Sequence, residues 1–363
     1  MALSASALPA AGNPSYADAR PTMGIPSFAE ARSARGIPSD AAVRPTGGIP
    51  SDARGRSCDP SVRLMAGFLS LIALALVGCA SPASAQRRAP AEAPGPPEMT
   101  IVPDPLDRGS PGRVILKGVG LDAAPRGVFD GKPVFFFETA EGLTGIFGAD
   151  IMIGLGDHPL EVSWKGDSPG RLGSAVTVRD RDYGTRSITV PRGQVELSRA
   201  DQERAAREKV LTDRALATVT PERLWRGAFL EPVDAAINSS FGRKTRMNGV
   251  LNPRPHAGAD YLAKEGAQVR APADGVVILA GNHFFAGNSI YVDHGQGLVS
   301  MYFHLSEILV EEGQHLKKGD IPIGLVGKTG RVTGAHLHYG VYLNGARIDP
   351  SVFRKLTSTL REQ

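Results

Sequence analysis

From Glu98 onward the chain is written in short apolar runs, each closed by a glycine, proline or aspartate turn signal. That pattern restricts the fold more than any other feature. The runs 113–117 (RVILK), 134–137 (VFFF), 160–164 (LEVSW), 175–178 (AVTV) and 187–190 (SITV) are strand-length and rich in β-branched and aromatic residues. Gly-Asp, Asp-Gly and Pro-Gly pairs separate them and mark turns. They read as a small β-sandwich over residues 98–195. The pattern returns from residue 224 to the C-terminus, where 275–281 (GVVILAG), 289–292 (SIYV), 298–302 (LVSMY) and 323–327 (IGLVG) are candidate buried strands. Between the two lies one helical connector, 196–223. Ser198 and Asp201 form an S-x-x-D start signal, and charges dominate the run that follows, so the helix is expected to be solvated rather than a core element. Composition agrees with a mainly β chain: 43 Gly, 28 Pro and only 6% aromatic residues disfavour a helical bundle.

The formal charge of +4 suits an anionic cell envelope, but it is too small and too dispersed to argue for nucleic acid. The two cysteines, Cys58 and Cys79, both precede the expected folded region. No internal disulfide can form there, and a zinc-finger reading fails for want of paired thiolates. Any metal must be held by His and carboxylate.

Residues 62–85 read as an export signal. The apolar run 64–78 is about right for a signal h-region and too short for a membrane span, with Arg56 and Arg63 as its positive flank. It ends in Leu76-Val77-Gly78-Cys79, which resembles a bacterial lipobox with Cys79 as the lipidated residue; Ala83-Ser84-Ala85 offers an alternative cleavage site. Residues 1–61 carry a degenerate Gly-Ile-Pro-Ser repeat at Gly24, Gly36 and Gly48 and cannot build a packed core. We expect them to be an over-extended start, with translation beginning near Val62 or Met65, or else a disordered arm. The proline-rich stretch 86–97 is expected to act as a semi-rigid spacer from a membrane.

Seven of the eight histidines lie after residue 224. The eighth, His158, sits in a turn and reads as structural or solvated, as do His283, His294 and His315. His336 and His338 differ. In a strand, residues i and i+2 face the same side about 7 Å apart. Two such imidazoles can share one metal, or one can bind while its neighbour faces the bound water. His256 and Asp260 form an H-x-x-x-D pair that a straight strand would hold about 13 Å apart, so the segment must bend, and Gly258 between them can allow it. His304 ends a strand-like run and alone would be read as structural. Together these five residues can supply a tetrahedral zinc site with an open position and two further histidines for proton traffic.

At this point the sequence resembles the lysostaphin-type (LytM-like) zinc endopeptidases. The residues that carry the resemblance are Phe241-Gly242-Arg243, Asn248-Gly249, His256-Ala257-Gly258-Ala259-Asp260-Tyr261, 269–275 (VRAPADG) and 293–298 (DHGQGL). It continues through Tyr302-Phe303-His304-Leu305-Ser306, 326–330 (VGKTG), Thr333-Gly334-Ala335-His336-Leu337-His338 and Asp349-Pro350. Ala257 and Ala335 replace the Ser and Pro that the family often has there. The resemblance implies an antiparallel β catalytic domain over 224–363. It implies one zinc ion held by His256, Asp260 and His338, with His304 and His336 as the catalytic pair. It also implies peptidoglycan stem peptides as substrate. An ion with three protein ligands would bring a bound water toward a pKa of about 7. His336 is favoured as base because it shares a strand with a ligand, and His304 as its partner. A non-catalytic envelope module that activates a cell-wall amidase is the main alternative. A purely structural zinc staple is a third, and it leaves His304 and His336 unexplained. Taken together, these features lead us to expect an exported or lipid-anchored enzyme facing the periplasm.

Overall fold

The computed structural model describes residues 95–189 and 197–361. The repeats before residue 62, the export signal with Cys79, and residues 86–94 of the spacer lie outside the described residues.

The first layer pair is a sandwich. One sheet has four strands in the order Glu98–Val102, Pro111–Lys117, Gly142–Gly148, Phe136–Thr139. The other has five, in the order Leu106–Asp107, Gly170–Arg179, Gly156–Trp164, Arg126–Phe129, Lys132–Val134. Alternation sets the faces: Leu160, Val162 and Trp164 point inward while Glu161 and Ser163 stay outside. With Val114, Leu116, Phe129, Phe147, Val176 and Val178 they form one core. Each such side chain contributes about 1.5–3 kcal/mol on burial. The run 134–137, which reads as one strand, is divided: Val134 belongs to the five-stranded sheet and Phe136 to the four-stranded one. The chain crosses between layers at Phe135, and a uniformly apolar run gives no sign of which residue turns the corner.

The run 187–190 was expected in the sandwich. Instead Thr185–Ile188 pairs in parallel with Lys244–Met247. That strand turns back into Val250–Leu251 through Asn248 and Gly249, at φ 48° and 85°. Positive φ at both loop positions matches the twist of a two-residue hairpin. The sandwich also contributes to the core beyond it: Phe137 and Ile146 are buried with Trp225, Phe229 and Phe353. Asp150 accepts hydrogen bonds from the Arg347 backbone N–H at 2.8 Å and from its guanidinium at 2.6 and 2.9 Å.

The helix Arg199–Leu216 starts as read, with Ser198 Oγ accepting the Asp201 N–H at 3.1 Å. Only Ala215 is buried. Two of its side chains nonetheless reach the end of the strand Gly275–His283 and the loop that follows it. Glu208 accepts the Phe284 N–H at 2.6 Å, and Arg204 donates to Asn282 Oδ1 at 2.9 Å.

The C-terminal sheet runs Ile237–Ser239, Ala259–Tyr261, Leu337–Leu343, Leu298–Ile308, Gly287–Asp293, Gly275–His283, His315–Leu316. Pro322–Val326 pairs with the end of Leu298–Ile308, and Gln268–Arg270 pairs with Pro322–Val326. Ala346–Ile348 adds a hairpin to Leu337–Leu343. The helix Pro350–Thr359 closes the domain. Asp349 caps it by accepting the Ser351 N–H at 2.9 Å, Pro350 occupies the first turn, and Phe353 enters the core. The mainly β architecture is therefore as the sequence implied.

Candidate active site

Two neighbouring strands set the first contact. Ala259–Tyr261 and Leu337–Leu343 are antiparallel, with Asp260 directly opposite His338. Their side chains share a face, and Asp260 Oδ1 lies 2.8 Å from His338 Nδ1. His256 comes from the loop before the first strand. That loop is fixed to the chain upstream: the Gly242 N–H donates to His256 O at 2.8 Å, and the His256 N–H to Arg243 O at 3.0 Å. The His256 ring then turns inward, and its Nε2 lies 3.0 Å from both Asp260 Oδ1 and His338 Nδ1.

The bend that H-x-x-x-D requires is present, but Gly258 serves a different need from the one expected. Its backbone does not take a left-handed conformation; the crowding is lateral. A Cβ there would meet Tyr339 O at 2.5 Å and His338 Nε2 at 2.6 Å. Glycine is what lets the loop pass against the histidine strand.

His304 is aimed by a bulge. The pairing of Leu298–Ile308 with Gly287–Asp293 slips between Ile290↔Tyr302 and Asn288↔Leu305, so one extra residue is accommodated at Phe303–His304. His304 takes φ 66°. Strict alternation would put Phe303 and His304 on opposite faces. The bulge brings both toward His338. Phe303 stacks on the His338 ring at 5.2 Å and 12°, and the His304 ring centre lies 4.8 Å from that of His336. His336 precedes its strand, bridges to Gly327 and lies with Nε2 3.8 Å from Asp260 Oδ1.

The tautomers follow from the acceptors. A carbonyl oxygen only accepts, so each imidazole nitrogen facing one must carry the proton. His256 Nδ1 donates to Ser240 O at 3.1 Å, His304 Nδ1 to Thr329 O at 3.0 Å, and His336 Nδ1 to Gly334 O at 2.9 Å. Each therefore keeps an Nε2 lone pair. Backbone carbonyls that orient a ring in this way also raise its quality as a ligand or base.

Electrostatics favour the same state. Burial alone would raise the Asp260 carboxyl, but the nitrogens of His256 and His338 beside it outweigh that whenever those rings carry the extra proton, through hydrogen bonds and charge, and hold the group well below the usual carboxylate range. Burial lowers His338, although Asp260 opposes the shift. Burial, then the neighbouring His338 and His336, push His304 down to about 3. Neutral imidazoles beside an ionised carboxylate are the forms that bind a cation.

His256, Asp260 and His338 thus form a group that could hold a metal ion. The donor atoms lie 2.8–3.0 Å apart. An ion with bonds of about 2 Å separates tetrahedral donors by about 3.3 Å, so small side-chain adjustments suffice. The donor set and the second contacts on His256 both fit. The other histidines stay outside: His283 is buried beside Ser289, His294 is enclosed in the core, His315 is exposed on a two-residue strand, and His158 belongs to the sandwich. Sequence reasoning missed Phe303 and the carbonyls of Ser240, Thr329 and Gly334. Phe303 adjoins His304 and could have been suspected; carbonyls leave no residue-type signal.

Residues 254–350 match the profile of peptidase family M23. A crystal structure from Pseudomonas aeruginosa, assigned to peptidase M23, is 30% identical and superposes with a TM-score of 0.51 over 64% of this chain and 88% of that one. This chain belongs to the M23 peptidases. Within that family, the Peptidoglycan DD-endopeptidase ShyA of Vibrio cholerae is 40% identical to this M23 chain over 120 residues, 32% of this chain and 28% of ShyA. The DD-carboxypeptidase/endopeptidase Mpg of Neisseria meningitidis is 42% identical over 128 residues, 34% of this chain and 29% of Mpg. The M23 chain thus aligns with under a third of the length of these curated relatives.

Proposed function

We propose that the chain is a zinc-dependent endopeptidase that hydrolyses peptide cross-links of bacterial peptidoglycan. The observation that carries this reading is the convergence of three ligand atoms with two further imidazoles, His304 and His336, whose Nε2 atoms are kept free by backbone carbonyls. His256, Asp260 and His338 are the ligands in this reading, and His304 and His336 the catalytic pair. A zinc ion held there would polarise a substrate carbonyl and acidify a water.

The chain's own residues do the rest. His336 Nε2 accepts a proton from the attacking water and returns it to the leaving amine. It is the more exposed of the pair, with 19% of its side chain open, and can exchange protons with solvent. His304, 8% exposed and anchored on Thr329 O, steadies the charge that develops on the carbonyl oxygen. Phe303, flat against His338, keeps that ring from turning.

One relative is named a peptidoglycan DD-endopeptidase and another a DD-carboxypeptidase/endopeptidase, which supports a cross-link as the target; the bond between D-alanine and diaminopimelate suits a Gram-negative envelope. Export through residues 62–85 with lipidation at Cys79, or cleavage after Ala85, would place the enzyme facing the periplasm. The test is zinc content beside digestion of purified sacculi. Stoichiometric zinc and soluble fragments are expected. A zinc-loaded protein that leaves sacculi intact, yet stimulates a separate amidase, would overturn the enzyme reading in favour of an activator module.

A further inference from the structure

Two loops meet beside His304. One, residues 284–286, joins Gly275–His283 to Gly287–Asp293; the other, 327–336, leads from Pro322–Val326 to the histidine strand. Each holds His304 through its backbone: Ala286 O accepts the His304 N–H at 2.8 Å, and Thr329 O accepts Nδ1–H at 3.0 Å. The second loop is also pinned to the first and to the start of the strand that follows it. The Arg331 N–H donates to Phe285 O at 3.1 Å, and the Asn288 N–H to Thr329 Oγ1 at 2.9 Å. Gly287 and Gly330 lie so close across the seam that a Cβ on either would collide with the facing backbone.

Phe285 is one residue from Ala286, and Arg331 two from Thr329. Both therefore stand on the rim at the His304 side of the site. Phe285 is 45% exposed. Arg331 is exposed too, and its guanidinium lies 5.7 Å from the Phe285 ring centre. The rim is braced from behind by the helix Arg199–Leu216, whose Glu208 accepts the Phe284 N–H at 2.6 Å. Among the described residues no carboxylate pairs with Arg331. An exposed arginine is commonly just solvated. This one lies against an exposed aromatic ring, in a loop anchored to a site histidine, so its fork is held near the site rather than left free to wander.

We propose that Arg331, steadied by Phe285, binds a substrate carboxylate next to the scissile amide. The proposal rests on the peptidase reading above. Diaminopimelate is a dicarboxylic diamine in which each amine and one carboxyl share a carbon. Whichever amine is acylated in a cross-link, a carboxylate stands on the carbon beside the scissile nitrogen. A planar guanidinium on the rim matches that group by paired N–H···O bonds.

The test uses two synthetic D-alanyl–diaminopimelate cross-linked peptides, one with that carboxylate free and one with it amidated. The wild-type protein should show a KM about tenfold or more lower for the free acid, with kcat within about twofold, as loss of a charged hydrogen bond implies. Arg331→Gln should lose the preference by raising only the free-acid KM. Arg331→Lys should recover part of it. A full preference surviving in Arg331→Gln, or none in the wild type, overturns the proposal. Calorimetric binding of both peptides to the His336→Ala protein separates the two readings. Preferential binding of the free acid, with no turnover by the wild type, leaves the carboxylate contact standing and removes the peptidase. Equal binding of the two removes the contact.

Discussion

The sandwich and the C-terminal sheet are built from the same kinds of strand and turn, yet they treat histidine differently. In the sandwich, His158 places Nδ1 3.2 Å from Asp130 Oδ1 and Nε2 2.9 Å from Gly154 O, so both nitrogens are taken. In the C-terminal sheet, His256, His304 and His336 each give one nitrogen to a backbone carbonyl and keep the other open toward one point. The difference teaches that a site is made by what the fold leaves unsatisfied. It also shows that irregularity produces the leftover groups: a bulge at His304 and a glycine where the His256 loop crosses the histidine strand.

The largest expected effect comes from removing a convergent donor. Asp260→Ala and His338→Ala should lose both zinc, read by elemental analysis, and digestion of sacculi. Gly258→Ala sharpens the point because it leaves every donor in place. Its Cβ would press on His338 Nε2 and Tyr339 O, so zinc occupancy should fall and cleavage with it. If Gly258→Ala binds zinc as tightly as wild type, crowding at the crossing does not organise the site.

Next come the two histidines with an open Nε2. His336→Ala and His304→Ala leave the three donors intact and should keep near-stoichiometric zinc. Cleavage should drop by roughly a hundredfold or more, the usual share of general acid–base catalysis. Zinc loss in His336→Ala with retention in His338→Ala would exchange their roles.

These variants also mark where sequence reading reached its limit. The spacing H-x-H, the bend implied by H-x-x-x-D and the Ser198 cap depend on local geometry, and the structure brings those groups where the spacing allows. The bulge is non-local. It arises because Leu298–Ile308 must pair with Gly287–Asp293 and also meet Pro322–Val326 near Leu305. No feature of Phe303-His304 announces it. The same holds for the split at Phe135 and for Thr185–Ile188, whose partner lies almost sixty residues on, at Lys244–Met247. His294 read as a turn histidine, but it is fully buried, because its environment is assembled from Asp274, Phe229 and Ser300.

His294 supplies the third prediction, a pH effect on stability. Its Nδ1–H donates to Asp274 O at 2.7 Å, and Nε2 accepts from Ser300 Oγ at 2.7 Å, which fixes a neutral ring. Burial pushes it from 6.5 down to about 4. Between those values the unfolded chain takes up a proton that the folded chain refuses. Stability is complete above pH 6.5 and falls as the pH drops toward about 4. The loss from this one group is on the order of 3 kcal/mol. Urea titrations of wild type and His294→Asn across that window isolate it, since other carboxylates and the zinc site are common to both. Equal pH slopes in the two proteins would sink the assignment.

The smallest effect is expected at His158, and it closes the comparison from the other side. The ring is mostly covered, with 16% of its side chain exposed, and it bridges Asp130 and the Gly154 carbonyl at the end of the sandwich. Replacing it with alanine removes two hydrogen bonds but leaves no buried orphan, because Asp130 is 40% exposed and can be hydrated. The cost should be about 1 kcal/mol, a fall in Tm of about 2–4 °C for a folded part of this size. Zinc content and kcat/KM on sacculi should not change, because both ring nitrogens already face protein oxygens and neither is turned toward a substrate. A drop in kcat/KM at full zinc occupancy would mean that the sandwich contributes to catalysis, and the contrast between the two sheets would fail.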